Sequence, residues 1–292
     1  MTILPTTDMA SLRTIGVIGA GTMGTGIAQV CALAGLSVSM LDVDEQRVAQ
    51  GRDAVARGLE RLVKKAKLSA AARDAALGRL QGGTDYSILR NCDFVIEAAT
   101  ENQALKLEIL GEVDACASRD AILATNTSSI SIAKLAAATG RAARFVGMHF
   151  FNPVPVMALV EVVHGPRTAP FTIEAAVELA KRLGKTPVVV KDSPGFAVNR
   201  LLCPMLNEAV LAYAEGIATA QDIDQAMQLG CNHPVGPLAL CDLIGLDVVL
   251  AVMEVFERDF NDPKYRPAPL LKEMVAAGRL GRKSGRGFYT YG

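Results

Sequence analysis

Residues 17–30 read VIGAGTMGTGIAQV. An apolar run closes at Gly19, glycines recur at Gly21 and Gly24, and an apolar pattern of helical spacing opens with Met23. Gly-x-Gly-x-x-Gly at such a strand-to-helix junction allows a tight turn, close approach of the backbone to a pyrophosphate, and close packing of helix on strand. The helix start then offers unpaired N–H groups and a favourable dipole to the phosphates. The residues assigned to this loop are Gly19, Ala20, Gly21, Thr22, Met23 and Gly24. The competing reading is a glycine-rich structural turn with an unrelated carboxylate nearby. Asp42 argues against it, because it ends the next apolar run (LSVSML, 36–41), where a carboxylate accepts the ribose hydroxyls of adenosine. Its charge, with Asp44 close behind and Arg47 the only nearby base, favours NAD (NADH) over NADP.

Outward from this unit the same alternation continues to about residue 190. Further strand candidates are DFVIEA (93–98), AILAT (121–125), RFVGMHF (144–150), LVEVV (159–163) and TPVVV (186–190), after TIGVIG at 14–19. Helical patterns lie at 23–34, 44–68, 102–117 and 171–183. Apolar strands alternating with helices predict an α/β Rossmann-type, doubly wound, mostly parallel sheet covered on both faces. Residues 44–80 exceed one crossover helix and read as a helical excursion broken at Leu68-Ser69, with Ser69 the N-cap of its second half. From SPGFAVNR (193–200) onward the strand signal disappears. Leu201, Leu202, Met205, Leu206, Ala209, Val210 and Tyr213 recur at helical spacing, and further helices are expected at 220–229, 246–260 and 270–277. The expected organisation is therefore residues 1–190 as a nucleotide-binding domain and 191–292 as a smaller all-helical domain.

Thirty basic residues balance thirty acidic ones, so no overall field favours nucleic acid or an anionic membrane. The most apolar later window, PLALCDLIGLDVVLAVMEVF, carries Asp242, Asp247 and Glu254, which argues for buried helices rather than a membrane span. Six cysteines without CxxC or zinc-like spacing, after a start with no signal-peptide pattern, suggest reduced thiols in a cytoplasmic protein. Three dispersed histidines without a carboxylate cluster suggest no metal site.

Ligands of open α/β sheets bind beyond the carboxyl ends of the strands. Two polar clusters fall there: ATNTSS (124–129), with the Ser128 hydroxyl able to donate to a substrate oxygen, and HFFN (149–152). His149 is the natural proton acceptor for oxidation of an alcohol, since histidine is the side chain suited to proton exchange at physiological pH. The NPVP turn after it can fold LVEVV back antiparallel, setting Glu161 beside the imidazole as its counter-charge. His149 could instead be a core histidine and Glu161 an edge residue; their place at the strand ends of a sheet with a nucleotide loop favours chemistry. His164, in an expected loop, and His233 read as structural or surface residues.

GAGTMGTGIAQ, DFVIEAATEN, TNTSSISI, GMHFFNPVPVM, VEVV, KDSPGFAVNRLL, GCNHPVGPLALCDLIGLD and GRKSGRGFY together resemble the short-chain (S)-3-hydroxyacyl-CoA dehydrogenase family, of the 3-hydroxybutyryl-CoA dehydrogenase type. The resemblance implies an NAD-dependent oxidoreductase acting on an acyl-CoA and forming a homodimer through its helical domain. It implies His149 as acid–base catalyst with Glu161 as partner, and Ser128 and Asn199 on the substrate's 3-oxygen and thioester oxygen. Glu101, Lys106, Ser128, Asn152 and Lys283 match positions that contact NAD, and Lys65, in the cluster Lys64, Lys65 and Lys67, matches one that grips coenzyme A. Gly58 stands where the family has a serine, and Ala158 where many members have lysine. Rival readings are a 3-hydroxyadipyl-CoA dehydrogenase of aromatic degradation, a related hydroxyacid dehydrogenase, and a non-catalytic crystallin-like relative.

Overall fold

The computed structural model describes residues 12–292, and its contacts divide the chain into two compact units meeting between Asp192 and Ser193. In the first unit, eight strands form one sheet in the order β3-β2-β1-β4-β5-β6-β7-β8. β1 (Thr14–Ile18), β2 (Ser37–Leu41), β4 (Phe94–Glu97), β5 (Ile122–Thr125) and β6 (Phe145–Phe150) run parallel. The order reverses at β1, which lies between β2 and β4. That reversal opens the crevice in which such sheets take ligands. β7 (Leu159–His164) returns antiparallel to β6, and β8 (Thr186–Lys191) pairs parallel with β7.

The helices follow from the apolar spacing. α1 (Thr22–Leu33), α2 (Glu45–Lys64), α3 (Ala70–Leu77) and α6 (Pro170–Arg182) share one hydrophobic core with one face of the sheet. α4 (Gln103–Cys116) and α5 (Ile132–Ala136) complete the set. Ser69 caps α3 as expected, its hydroxyl accepting the Ala72 N–H at 3.1 Å. The excursion at 44–80 needs one correction. Its last residue, Leu80, opens a strand, β3 (Leu80–Gly83), paired parallel with β2 at the sheet edge. LQGG carries no β-branched residue to announce it, and the pairing is made by backbone. A Cβ on Gly82 would lie 2.3 Å from Val48 Cγ1, so glycine is what lets α2 settle on this strand. His164 ends β7 rather than lying in a loop.

The second unit is helical: α7 (Val198–Ala214), α8 (Ala220–Cys231), α9 (Pro237–Ile244), α10 (Leu246–Phe260) and α11 (Pro269–Ala276). The apolar window of the sequence resolves into α9 and α10, separated by Gly245 at φ +104°. Two buried carboxylates organise this unit. Asp224 accepts the Leu238 and Ala239 N–H groups at the start of α9 and the Tyr289 hydroxyl; Asp242 accepts Phe288 N–H, Tyr289 N–H and the Tyr291 hydroxyl. Each carboxylate is thus satisfied rather than left bare, which makes its burial tolerable. Among the described residues no helix is long and apolar enough to cross a membrane.

All six cysteines are free thiols. Burial pushes Cys31 and Cys203 up to about 12 and Cys92 to about 11, and Cys241 is raised as well. The thiolate is the reactive form. A thiol reagent at mildly alkaline pH is therefore expected to modify exposed Cys231 first, leaving these four intact until the chain unfolds. Rapid modification of all six in folded protein would contradict the described packing.

Candidate active site

The glycine loop separates what the fold needs from what a ligand needs. Gly19 adopts φ +99°, and a Cβ there would lie 2.7 Å from the Ala98 carbonyl oxygen; on Gly24 it would lie 1.8 Å from the Gly19 oxygen. Both glycines are demanded by the protein itself. A Cβ on Gly21 would meet nothing within 4 Å. The protein leaves that space open, which suits close approach of a pyrophosphate. Gly21 also begins α1 with no side-chain cap and no acidic residue in the first turn. By contrast α2, α3, α4 and α5 are capped by Asp44, Ser69, Asn102 and Ser131. An uncapped helix start with open space before it is a place for an anion.

Asp42 follows the last residue of β2. Its Oδ2 accepts the Ala20 N–H at 2.6 Å, so it shapes the glycine loop as well as facing outward. It lines a cavity of about 520 Å³ with Gly19, Gly21, Val43, Tyr86 and Leu105. Asp42 at the end of β2 can take ribose hydroxyls while Val43, Tyr86 and Leu105 offer apolar surface to the rings; Arg47, Glu108 and Glu112 also line the cavity.

His149 and Glu161 occupy facing register positions of β6 and β7. Nδ1 donates to Glu161 Oε2 at 2.7 Å, and both side chains are buried. The NPVP turn folds the chain back between them, with the Asn152–Pro153 bond cis. The Phe151 ring lies 4.4 Å from the imidazole, centroid to centroid. Asn152 is exposed at the mouth of the turn. The neighbouring loop is tied to this one, because Asn126 Oδ1 accepts the Phe150 N–H at 2.9 Å.

Behind that loop the buried pair Lys106 and Glu97 adjoins Glu101, which is exposed; Glu101, Lys106 and Ser128 were among the sequence candidates, and Glu97 was not. Lys106 Nζ donates to Glu97 Oε2 at 2.6 Å, and the Thr125 hydroxyl donates to the same oxygen at 2.7 Å. Lys106 also lies 3.8 Å from Glu101. Glu101 Oε1 accepts the Ser128 N–H at 2.6 Å and the Ser128 hydroxyl at 2.7 Å. Lys106 is fully enclosed and stands behind Glu101. The Ser128 proton is committed to Glu101, so it is not offered outward in this arrangement. Glu97, Thr125 and Asn126 escaped sequence reading because each looks like strand or loop filler; the one signal was polar ATNTSS placed directly after an apolar strand.

The remaining candidates lie elsewhere. Lys65 ends α2, exposed, with Lys64 and Lys67. Position 58 points inward, since a Cβ there would lie 2.2 Å from Gln29 Oε1; a serine would have to displace Gln29. Asn199 is in the first turn of α7, and Lys283 pairs with Asp247 at 2.6 Å, both within the second unit.

Residues 14–193 match the NAD binding domain of 3-hydroxyacyl-CoA dehydrogenase, and residues 195–291 match its C-terminal domain. The chain belongs to the 3-hydroxyacyl-CoA dehydrogenase family. Among its relatives is a probable 3-hydroxybutyryl-CoA dehydrogenase of Deinococcus radiodurans, 50% identical over 94% of this chain and 99% of that one. The crystal structure of (S)-3-hydroxybutyryl-CoA dehydrogenase from Ralstonia eutropha is 58% identical, with a TM-score of 0.95 over 97% of this chain and all of that one. The mitochondrial hydroxyacyl-coenzyme A dehydrogenase of Sus scrofa is 42% identical over 96% of this chain and 91% of its own. Family membership therefore spans both units.

Proposed function

We propose that this family member catalyses the reversible, NAD-dependent interconversion of (S)-3-hydroxyacyl-CoA and 3-oxoacyl-CoA, with 3-hydroxybutyryl-CoA and acetoacetyl-CoA as the leading pair. The observation that carries the reading is the buried His149–Glu161 pair in the same sheet as the glycine loop, in a chain of this family. NAD bound at the Gly19–Gly24 loop supplies the hydride acceptor, or donor in reverse. His149, its Nδ1 held by Glu161, takes the proton of the 3-hydroxyl through Nε2 and returns it in reduction. Glu161 keeps the resulting imidazolium from being an unpaired buried charge.

Ser128 and Asn199 are assigned to the substrate's 3-oxygen and thioester oxygen by family position. Ser128 donates there only by turning its hydroxyl from Glu101, so that contact belongs to the loaded enzyme. Asn152 and Glu101 face the cofactor, Lys283 is assigned to it by position, and Lys65 is assigned to the coenzyme A phosphates. Hydride and proton are each accounted for, so the proposal calls for no metal. We place the reaction in the cytoplasm, in a homodimer, in keeping with six free thiols and the family expectation.

Acetoacetyl-CoA is expected to oxidise NADH in the presence of the protein, whereas free acetoacetate at the same concentration is not. Equal rates would remove coenzyme A from the reading and favour a free-hydroxyacid dehydrogenase. Asp42→Asn keeps an acceptor for the Ala20 N–H while deleting the charge that a 2′-phosphate would meet. It is expected to shift the ratio of kcat/KM for NADH over NADPH about tenfold toward NADPH, the effect of ~1.4 kcal/mol. An unchanged ratio would undermine the ribose assignment.

A further inference from the structure

Lys185 lies between α6 and β8, just after Gly184 at φ +72°, and its side chain turns inward, leaving the residue 9% exposed. Nζ donates to the Val154 carbonyl and, at 2.8 Å, to the Met157 carbonyl. Among the described residues no carboxylate forms an ion pair with it. Burial lowers its pKa from the usual lysine range. An ammonium without a counter-ion in such a place is costly, and carbonyl dipoles compensate it only in part.

Both carbonyls belong to the turn that joins the His149 strand to the Glu161 strand. That turn contains two prolines, which have no N–H to give. Its internal bonds converge on one atom, the Pro153 oxygen, which accepts the Val156 and Met157 N–H groups. On its other side the turn meets α1. Val154 is buried against Gly26, where a Cβ would come within 2.8 Å of Val154 Cβ. The turn is thus pinned by a glycine of the helix that starts at the nucleotide loop and by the lysine from the sheet edge. What it carries is Phe151, packed on the imidazole, and Asn152 at its mouth.

We propose that Lys185 is a positioning residue for the reaction: through the Val154 and Met157 carbonyls it fixes the turn that sets His149 and Asn152 relative to each other. It touches neither substrate nor cofactor, and its effect is on the geometry of proton and hydride delivery. This rests on the dehydrogenase reading above.

Lys185→Met removes the donors at similar volume, and Lys185→Arg keeps a cation within reach of both carbonyls. In folded protein, kcat with NADH and acetoacetyl-CoA is expected to fall at least about tenfold for Met, with Arg retaining more, since misplacing reacting groups is costly. A Met variant within about threefold of wild type, or an Arg variant no better than Met, would overturn the proposal. If the Met variant does not fold, Lys185→Leu, which also has no donor, stands in for it under the same criteria. A substrate-free readout separates this from the functional reading: the Nδ1 proton of His149, one of three histidines, is followed by NMR. Its resonance should shift or broaden in Met and stay near the wild-type position in Arg, even if acetoacetyl-CoA proves not to be the substrate. An identical resonance in Met would count against Lys185 as a positioning residue.

Discussion

Replacing His149 with alanine is expected to lower kcat by about 10²–10⁴-fold, the usual contribution of a positioned acid–base group, while NADH binding survives. The separation follows from the architecture. The imidazole is held by β6 and β7, whereas the nucleotide loop is built by β1, α1 and Asp42, so the substitution leaves the binding elements intact. Glu161→Gln is expected to cost less, because an amide oxygen still accepts the Nδ1–H and only the counter-charge is lost. Steady-state rates with acetoacetyl-CoA, set beside fluorescence titration with NADH, read the two effects apart. Activity within about threefold of wild type for the alanine variant would dismiss His149 as the acid–base group.

The second large effect concerns stability. Lys106→Met leaves Glu97 fully buried with only the Thr125 hydroxyl and the Ala99 N–H as partners. Breaking one side of such a pair is expected to cost about 3–5 kcal/mol, because the remaining charge is uncompensated. The double substitution Glu97→Gln with Lys106→Met removes both charges and should recover most of the loss. Hydrogen exchange of the β4 and β5 amides as a function of urea reports this locally, independent of the second unit. If the single and double variants are equally stable, the pair is not the charge system described. Glu101 loses its nearest buried cation in both, so the hold on the Ser128 loop weakens in both.

The nucleotide loop was legible because its glycine spacing falls at a strand-to-helix junction, and because Asp42 lies where the second strand must end. The His149–Glu161 pairing was legible for a similar reason: a proline-fixed turn leaves few registers for the returning strand, and both residues are ionisable in an apolar context. β3 was not legible, since LQGG is held by backbone bonds and by the absence of side chains. The enclosure of Lys106 was not legible, because family position identifies a residue near a cofactor without saying what surrounds it. Its enclosure depends on Glu97 and Thr125, which lie on two different strands and become neighbours only through the parallel register of β4 and β5. Lys185 gave no signal for the same reason, because its partners are carbonyl oxygens that no sequence pattern marks.

The central claim is hydride transfer between the nicotinamide and C3 of an acyl-CoA, with the proton handled by His149. It is tested most directly by incubating the protein with NADH deuterated at C4 on the transferred face and acetoacetyl-CoA, then analysing the product by mass spectrometry and chiral separation. The account expects (S)-3-hydroxybutyryl-CoA carrying the deuterium at C3. Unreacted acetoacetyl-CoA in the presence of folded, NADH-binding protein, or a reduced product without the label, would contradict it.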